Sequence, residues 1–161
     1  MKELKLRLLL ELMKDSKRSD RELAKILGVS QATVSRTRNR LVKDGLIKEF
    51  TIIPDFAKLG YELLVITTGK YKMPRTKEFV RKGQEWMVKY PNVIFASKAQ
   101  GTNADGIMIS LHKSYTEYDK FVTELKSEFA DSVEPTDNIL ISLQGFIVKP
   151  FSFSYLARKQ S

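Results

Sequence analysis

The sequence predicts an α+β fold in which an N-terminal three-helix unit precedes a ferredoxin-like βαββαβ domain. Within the first 45 residues, apolar side chains recur at helical spacing and two sites are typical of helix starts. From residue 61 onward, short runs rich in β-branched and aromatic residues alternate with two amphipathic helical stretches. The 161 residues suffice for one mid-sized domain or two small ones.

The first predicted helix, "KELKLRLLLELMK" at residues 2–14, has an unusually wide apolar stripe. Its leucines cover more of the surface than a helix buried on one side requires. Two interpretations follow. The helix is deeply buried within its own domain, or it also packs against a second subunit.

The next two helices carry clear start and stop signals. Ser19 and Glu22 have the spacing of a capping box, and Gly28 fits the end of that helix. Ser30 can cap the third helix, which Gly45 ends. Because only a few residues join these helices, the pattern predicts a helix-turn-helix.

The remaining segments complete the predicted order. We expect strands at 46–53, 61–71, 92–101, 106–112 and 138–148, with "TNAD" as a turn, and helices at 75–90 and 115–130. The alternating aromatic residues of the tail leave open a further strand or a packed arm. The predicted parts are a DNA-binding domain at 1–53, a hinge at 54–60, a ferredoxin-like domain at 61–148 and a tail at 149–161.

The composition narrows the class of partner. The net charge of +9 favours an anionic partner, with nucleic acid ahead of a membrane surface. The absence of cysteine excludes disulfides and thiolate metal sites. No apolar run approaches the ~20 residues that span a bilayer, and no signal peptide is recognisable. We therefore expect a soluble, cytoplasmic protein without a membrane partner.

Signals of catalysis are poor. The single histidine, His112, ends a predicted strand without an obvious partner, which is more typical of a structural or solvent-facing side chain. No zinc-protease motif, P-loop or nucleophile elbow is present. Asp105 could bind a metal, but a single carboxylate in a turn usually serves the turn itself. We expect no catalytic residue, metal or cofactor.

The third helix offers better support for a function. On a helical wheel, Val34 and Leu41 share one side, while the opposite side carries small, amide and basic side chains. Arg and Asn can bond to base edges, and Lys can contact phosphates. The outward side comprises Ala32, Ser35, Arg36, Asn39, Arg40 and Lys43. Arg38 lies near Val34, so we expect its stem on apolar surface and its guanidinium near solvent, an acid or the DNA backbone.

The segment "RSDRELAKILGVSQATVSRTRNRLVKDGLIKEF" resembles the winged helix-turn-helix of the Lrp/AsnC family of transcriptional regulators. The passage "IIPDFAKLGYELLVI" and the βαββαβ order are also similar to that family's connection and ligand-sensing domain. The resemblance implies that the third helix enters the major groove of double-stranded DNA. The positions it implies as contacts are Gln31, Ala32, Thr33, Ser35, Arg36, Asn39 and Arg40, and the wheel adds Lys43.

The same resemblance implies a homodimer, with higher oligomers in some members, and a small effector such as an amino acid between subunits. Its effector residues would be Gly101, Thr102, Asn103 and Asp105. "GTNADG" is one residue longer than the family's pattern, the tail is also longer, and Arg38 stands where the family tends to have Val or Ile. A nucleoid-packaging protein of low sequence specificity and a relative of the sirohaem decarboxylases remain the alternatives.

Overall fold

The computed structural model describes residues 3–101 and 103–158. The chain divides into two compact units, and the divisions fall after Ile53 and after Val148. The C-terminal segment from residue 149 therefore belongs to the same unit as the N-terminal helices. The described elements are α1 (Glu3–Lys14), α2 (Asp20–Leu27), α3 (Gln31–Lys43), β1 (Leu63–Tyr71), α4 (Lys77–Val88), β2 (Val93–Gly101), β3 (Ala104–His112), α5 (Tyr115–Phe129), β4 (Val133–Ser142) and α6 (Ser154–Arg158).

The first unit is built around apolar side chains from its first three helices. Each helix directs one face inward, as the helical spacing of its leucines predicts. Helix α1 contributes Leu8 and Leu12 to this core, and α6 also packs against α1. The buried residues are Leu8, Leu12, Leu23, Ala24, Leu27, Val34, Leu41 and Ile47.

The predicted strand at 46–53 is wrong. The backbone amides of Leu46 and Ile47 both donate to the carbonyl of Leu41, at 2.9 and 3.1 Å, and so cap the end of α3. The segment that follows forms no ladder, and Ile52 is 74% exposed. Its β-branched composition favoured a strand, but no described strand pairs with it, and composition alone does not form a sheet.

The second unit contains one antiparallel sheet of order β2-β3-β1-β4. Strand β3 lies between β1 and β2, and β4 pairs with the other side of β1. This is the topology of a ferredoxin-like domain, as predicted. Helices α4 and α5 provide the other half of the core, which comprises Val65, Trp86, Met108, Tyr118, Phe121, Val122 and Phe129.

The last strand lies earlier in the sequence than predicted. We expected residues 138–148, whereas β4 is Val133–Ser142 and starts by pairing Val133 with Tyr71. The first half of β4 was not predicted because it contains Glu134 and Pro135, and both residue types are rare in strands. Beyond Ser142 the chain turns, and the Gly145 amide donates to the Ser142 carbonyl at 3.3 Å.

The structure of the tail decides between the further strand and the packed arm that its alternating aromatic residues left open. It forms no strand within its described residues 149–158, but ends there in the short helix α6. Ala157 on this helix is 1% exposed. The tail is thus a packed arm of the first unit, and residues 159–161 lie outside the described part.

Candidate nucleic-acid interface

Helices α2 and α3 are positioned by side-chain caps at their starts. The Ser19 hydroxyl accepts from the Glu22 amide at 3.2 Å, and the Glu22 carboxylate accepts from the Ser19 amide at 2.7 Å. Gly28 ends α2 in the left-handed region, with φ of 69°. The Ser30 hydroxyl then accepts from the Thr33 amide at 3.2 Å. The predicted capping box, turn and third helix are therefore confirmed.

Helix α3 has two chemically distinct faces. Val34 and Leu41 are almost fully buried, which fixes the rotation of the helix against its unit. Thr33 and Ser35 are half-buried at the boundary between the faces. The remaining predicted contact residues are all exposed, namely Gln31, Ala32, Arg36, Asn39, Arg40 and Lys43.

Arg38 connects α3 to the start of α2. One terminal nitrogen lies 2.6 Å from the Asp20 carboxylate and also donates to the Arg18 carbonyl at 3.3 Å. The Arg38 Nε is buried without a hydrogen bond to another described residue. Of the three destinations expected for the guanidinium, namely solvent, an acid or the DNA backbone, the structure shows the acid. Arg38 is a structural clamp between the two helices rather than part of the outward face.

The outward face retains free hydrogen-bonding capacity. The Arg36 Nε donates to the Ala32 carbonyl at 3.3 Å, and its two terminal nitrogens have no hydrogen-bond partner among the described residues. Thr33 is the exception, because its hydroxyl lies 2.9 Å from that of Ser30 within the cap. Thr37 is also occupied, and donates to the Thr33 carbonyl at 2.7 Å.

The far end of α3 is strongly basic. Arg36, Arg40 and Lys43 recur at intervals of one helical turn and line a concave surface with Asn39 and Asp44. A hydrogen bond from the Lys5 ammonium lowers the pKa of the Asp44 carboxyl, as do Arg40 and Lys43 nearby. Asp44 is thereby an ion-pair partner of α1. The concave surface suits an anion such as a DNA phosphate.

Helix α3 also differs from its neighbours at its N-terminus. The first turns of α1 and α2 carry acidic residues, whereas the first turn of α3 has none. The positive end of the helix dipole is therefore not neutralised from within the helix.

The predicted effector residues meet at the β2–β3 hairpin. Gly101 pairs with Ala104, so the turn is shorter than the predicted "TNAD", and Asn103 takes φ of 57°. The Asp105 carboxylate accepts from the Tyr71 amide at 3.1 Å. The Lys70 ammonium donates to the Asn103 side-chain oxygen at 3.1 Å. Thr102, the remaining predicted residue, lies outside the described part of the chain.

The sheet has an exposed apolar face that was not predicted, although the sequence pattern of the strands indicated it. The strands place apolar residues at adjacent positions, as in "LLVI" and "NILI", so both sheet faces are apolar. One face is the core under α4 and α5. By register, the opposite face presents Leu64, Ile66, Phe95, Ile107, Ile109, Ile139 and Ile141, of which Ile139 is 54% and Phe95 51% exposed.

His112 is a fully buried side chain of the second unit. Its Nε2 lies 2.9 Å from the Ser110 hydroxyl, and its ring contacts those of Tyr118 and Phe121. Burial lowers the pKa of His112, against an opposing influence of the Glu117 carboxylate. Among the described residues, no cluster of three or more His, Cys, Asp or Glu could hold a metal. None of the helices formed by these residues could span a membrane.

Comparisons with known proteins agree with this geometry. Residues 1–48 match the model for a winged helix-turn-helix DNA-binding domain. An HTH-type transcriptional regulator of Pyrococcus abyssi is 30% identical over 130 residues, which is 81% of this chain and 84% of that protein.

Two solved structures share the fold over nearly the whole chain. An AsnC family transcriptional regulator from Agrobacterium tumefaciens superposes with a TM-score of 0.72 at 21% identity, over 97% of this chain and 99% of that one. A transcriptional regulator from Neisseria meningitidis, solved as a complex with L-methionine, gives 0.79 at 14% identity, over 96% and 95%. The chain therefore belongs to the HTH-type transcriptional regulators, and it shares its fold with an AsnC family regulator.

Proposed function

We propose that this protein recognises a specific DNA sequence as a dimer, with α3 in the major groove. The observation that carries this proposal is the exposed polar and basic face of α3, opposite the buried Val34 and Leu41. Such a face can reach base edges while the rest of the unit contacts the backbone. We further propose that the protein acts in the cytoplasm and is not an enzyme, in keeping with the regulators to which it is similar.

The proposed contacts fall into two groups. Small and amide side chains near the start of α3 allow close approach to the groove, and Arg36 and Asn39 can make paired hydrogen bonds to bases. Arg40 and Lys43, at the basic end of the helix, serve phosphates. The full set is Gln31, Ala32, Thr33, Ser35, Arg36, Asn39, Arg40 and Lys43.

A dimer is proposed through the open apolar face of the sheet. A helix-turn-helix monomer reads only one half-site, whereas a dimer places two recognition helices about one DNA turn apart. The apolar face is centred on Ile66, Ile109 and Ile139. The same face of a second copy of the chain can pack against it and shield both from water. Ile139→Asp should dissociate the dimer in sedimentation velocity, while Leu59→Asp, an exposed control, should not. A monomeric wild-type protein would contradict this proposal.

We propose an amino-acid effector at the β2–β3 hairpin, formed by Gly101, Thr102, Asn103 and Asp105. Support comes from the L-methionine complex of the Neisseria meningitidis protein, which shares the fold. The side chains of Asn103 and Asp105 already bond within the chain, so an effector would have to share or replace these bonds. Asp105→Asn should weaken amino-acid binding in calorimetry.

The DNA-binding proposal is tested with a duplex selected from a random-sequence library. Arg36→Ala and Asn39→Ala should each weaken binding to the selected duplex by about 1–3 kcal/mol in fluorescence anisotropy at fixed salt. Lys43→Ala should weaken selected and unrelated duplexes to a similar degree and reduce the salt dependence. Lys120→Ala, exposed on α5, is the matched control and should bind like the wild type.

The same titration distinguishes a regulator from a nucleoid-packaging protein. A regulator should prefer its selected duplex by at least ~10³-fold over unrelated sequences. Comparable affinity for many unrelated duplexes, with a steep dependence on salt, would favour packaging and contradict the specific regulator.

A further inference from the structure

Helix α4 does not close completely onto the sheet. A cleft of about 630 Å³ lies between α4 and strands β2 and β3, entirely within the second unit. Val80, Met87 and Met108 are among its mostly apolar lining residues. This volume and lining fall in the range of small-molecule sites in proteins.

A glycine within α4 helps to keep the cleft open. Gly83 lies in the interior of the helix and lines the cleft, and a Cβ added there would find no atom within 4 Å. Glycine is the least favourable residue in a helix interior apart from proline. At this position the helix therefore lacks both the higher helical propensity of another residue and the packing contacts of a side chain.

One end of the cleft is polar and cationic. Tyr71 leans over β3, where a Cβ on Gly106 would lie 2.9 Å from its hydroxyl oxygen. The Arg75 guanidinium lies over the Tyr71 ring, 5.5 Å from its centroid. Lys98 pairs with Gly106 in the β2–β3 register. Arg75 and Lys98 therefore both line the cleft at the end where Tyr71 meets Gly106.

The charges of this end are not balanced. No Asp or Glu lines the cleft within the described residues, and neither Arg75 nor Lys98 forms an ion pair with another described residue. Elsewhere on α4, Arg81 pairs with Glu85 at 2.8 Å and Lys82 with Glu128 at 3.1 Å. The nearby Asp105 carboxylate accepts from the Tyr71 amide and pairs with neither cation. The cleft thus combines an apolar body with an end at which Arg75 and Lys98 have no ion-pair partner among the described residues, which suits an anion bearing an apolar tail.

We propose that this cleft binds a small amphipathic carboxylic acid, with its tail along α4 and its carboxylate between Arg75 and Lys98. A free amino acid fits less well, because the lining offers no carboxylate to its ammonium group. The proposed effector site at the β2–β3 hairpin is a neighbour of this cleft, because Asp105 accepts from the Tyr71 amide, but none of its described residues lines the cleft. The proposal of a carboxylic-acid site in this cleft is independent of the DNA sequence that α3 recognises.

Octanoate is the probe for the full-length protein in isothermal titration calorimetry. The wild type should bind one equivalent per chain, and 1-octanol, which lacks the carboxylate, should bind at least tenfold more weakly. Gly83→Leu should fill the cleft and abolish octanoate binding, with an unchanged circular dichroism spectrum. If that variant does not fold, Ala96→Leu closes the cleft from β2 and should have the same effect.

The charge requirement is tested separately. The double variant Arg75→Ala/Lys98→Ala should bind octanoate at least tenfold more weakly, whereas the Lys120→Ala control should bind it like the wild type. The proposal is overturned if octanoate does not bind the wild type at millimolar concentration. Undiminished binding to the folded cleft-filling variant, or equal affinity for octanol, would overturn it as well. Selected-duplex binding by the same variants tests the DNA proposal independently.

Discussion

Helices α3 and α4 have 13 and 12 residues, but they are held in their units in opposite ways. Helix α3 buries Val34 and Leu41 completely, and Arg38 ties it to α2. Helix α4 buries only Trp86, contains Gly83 and leaves a cleft against the sheet. Helix α3 is thus tightly packed on its core, whereas α4 lies over a cleft that no side chain fills.

The contrast separates two requirements of a regulator. A recognition helix must present its side chains in a fixed geometry, because each base contact depends on direction as well as distance. A helix over a ligand cleft must instead leave volume, at some loss of packing energy. Substitutions in the two helices should therefore have different consequences, and the predictions below are ordered from the largest expected effect to the smallest.

The largest effect is expected where α3 meets its core. Leu41→Ala leaves a cavity at a fully buried position and should lower the free energy of unfolding by about 2–5 kcal/mol. Val88→Ala, at an 84% exposed position of α4, should change it by less than about 0.5 kcal/mol. Urea denaturation followed by circular dichroism measures both. The contrast fails if the two variants lose similar stability.

The Arg38 clamp should have the next largest effect. Arg38→Ala leaves the Asp20 carboxylate without its ion-pair partner in a partly buried site, and should cost about 1–2 kcal/mol of stability. Arg40→Ala removes only a loose, exposed pair with Asp44 at 3.9 Å and should cost less than about 0.5 kcal/mol. A double-mutant cycle with Asp20→Ala tests the attribution. A coupling energy near zero would assign the loss to packing of the Arg38 stem instead.

Two glycines provide a matched test of opposite sign. A Cβ would enter open space at both Gly28 and Gly83. Gly28 has φ of 69°, so alanine there is strained and should destabilise the protein by about 1–2 kcal/mol. Gly83 is helical, so alanine should stabilise it by about 0.5–1 kcal/mol. Thermal denaturation of both variants distinguishes these outcomes, and a destabilised Gly83→Ala would show that the glycine serves packing rather than open space.

The same contrast explains what could be predicted from the sequence. The caps, turn and two faces of α3 are local features, so Ser19, Gly28 and Ser30 predicted them directly. The Arg38–Asp20 pair was visible only as an apolar position occupied by a charge, since its partner comes from another helix. Such pairing depends on how the helices pack, which local patterns do not specify.

The second unit was predicted in its order of elements but not in its surfaces. The cleft arises from the spacing between α4 and the sheet, which no periodicity records. The strand predicted at 46–53 failed for a similar reason, because strand composition does not specify a pairing partner. The open sheet face could have been recognised from adjacent apolar residues, which imply that both faces avoid water.

The titration of His112 shows whether incomplete packing in the second unit is confined to the cleft or extends to the core under α5. It lies fully buried against Tyr118 and Phe121 of α5, on a closed part of the core. Burial lowers the pKa of His112 below the ordinary value of 6.5. Because it is the only histidine in the chain, a single imidazole resonance should report its titration by NMR.

The sign of its effect on stability follows from proton linkage. Above the unfolded pKa, both states are neutral at this position and His112 contributes no pH dependence. As the pH falls below about 6.5, the unfolded chain binds the proton first, so stability decreases towards the lower, folded pKa. His112→Gln should remove this part of the pH dependence of the unfolding free energy between about pH 7 and pH 5. A resonance that titrates at or above 6.5 would contradict a closed core under α5, and would extend the looseness of the cleft to the rest of the unit.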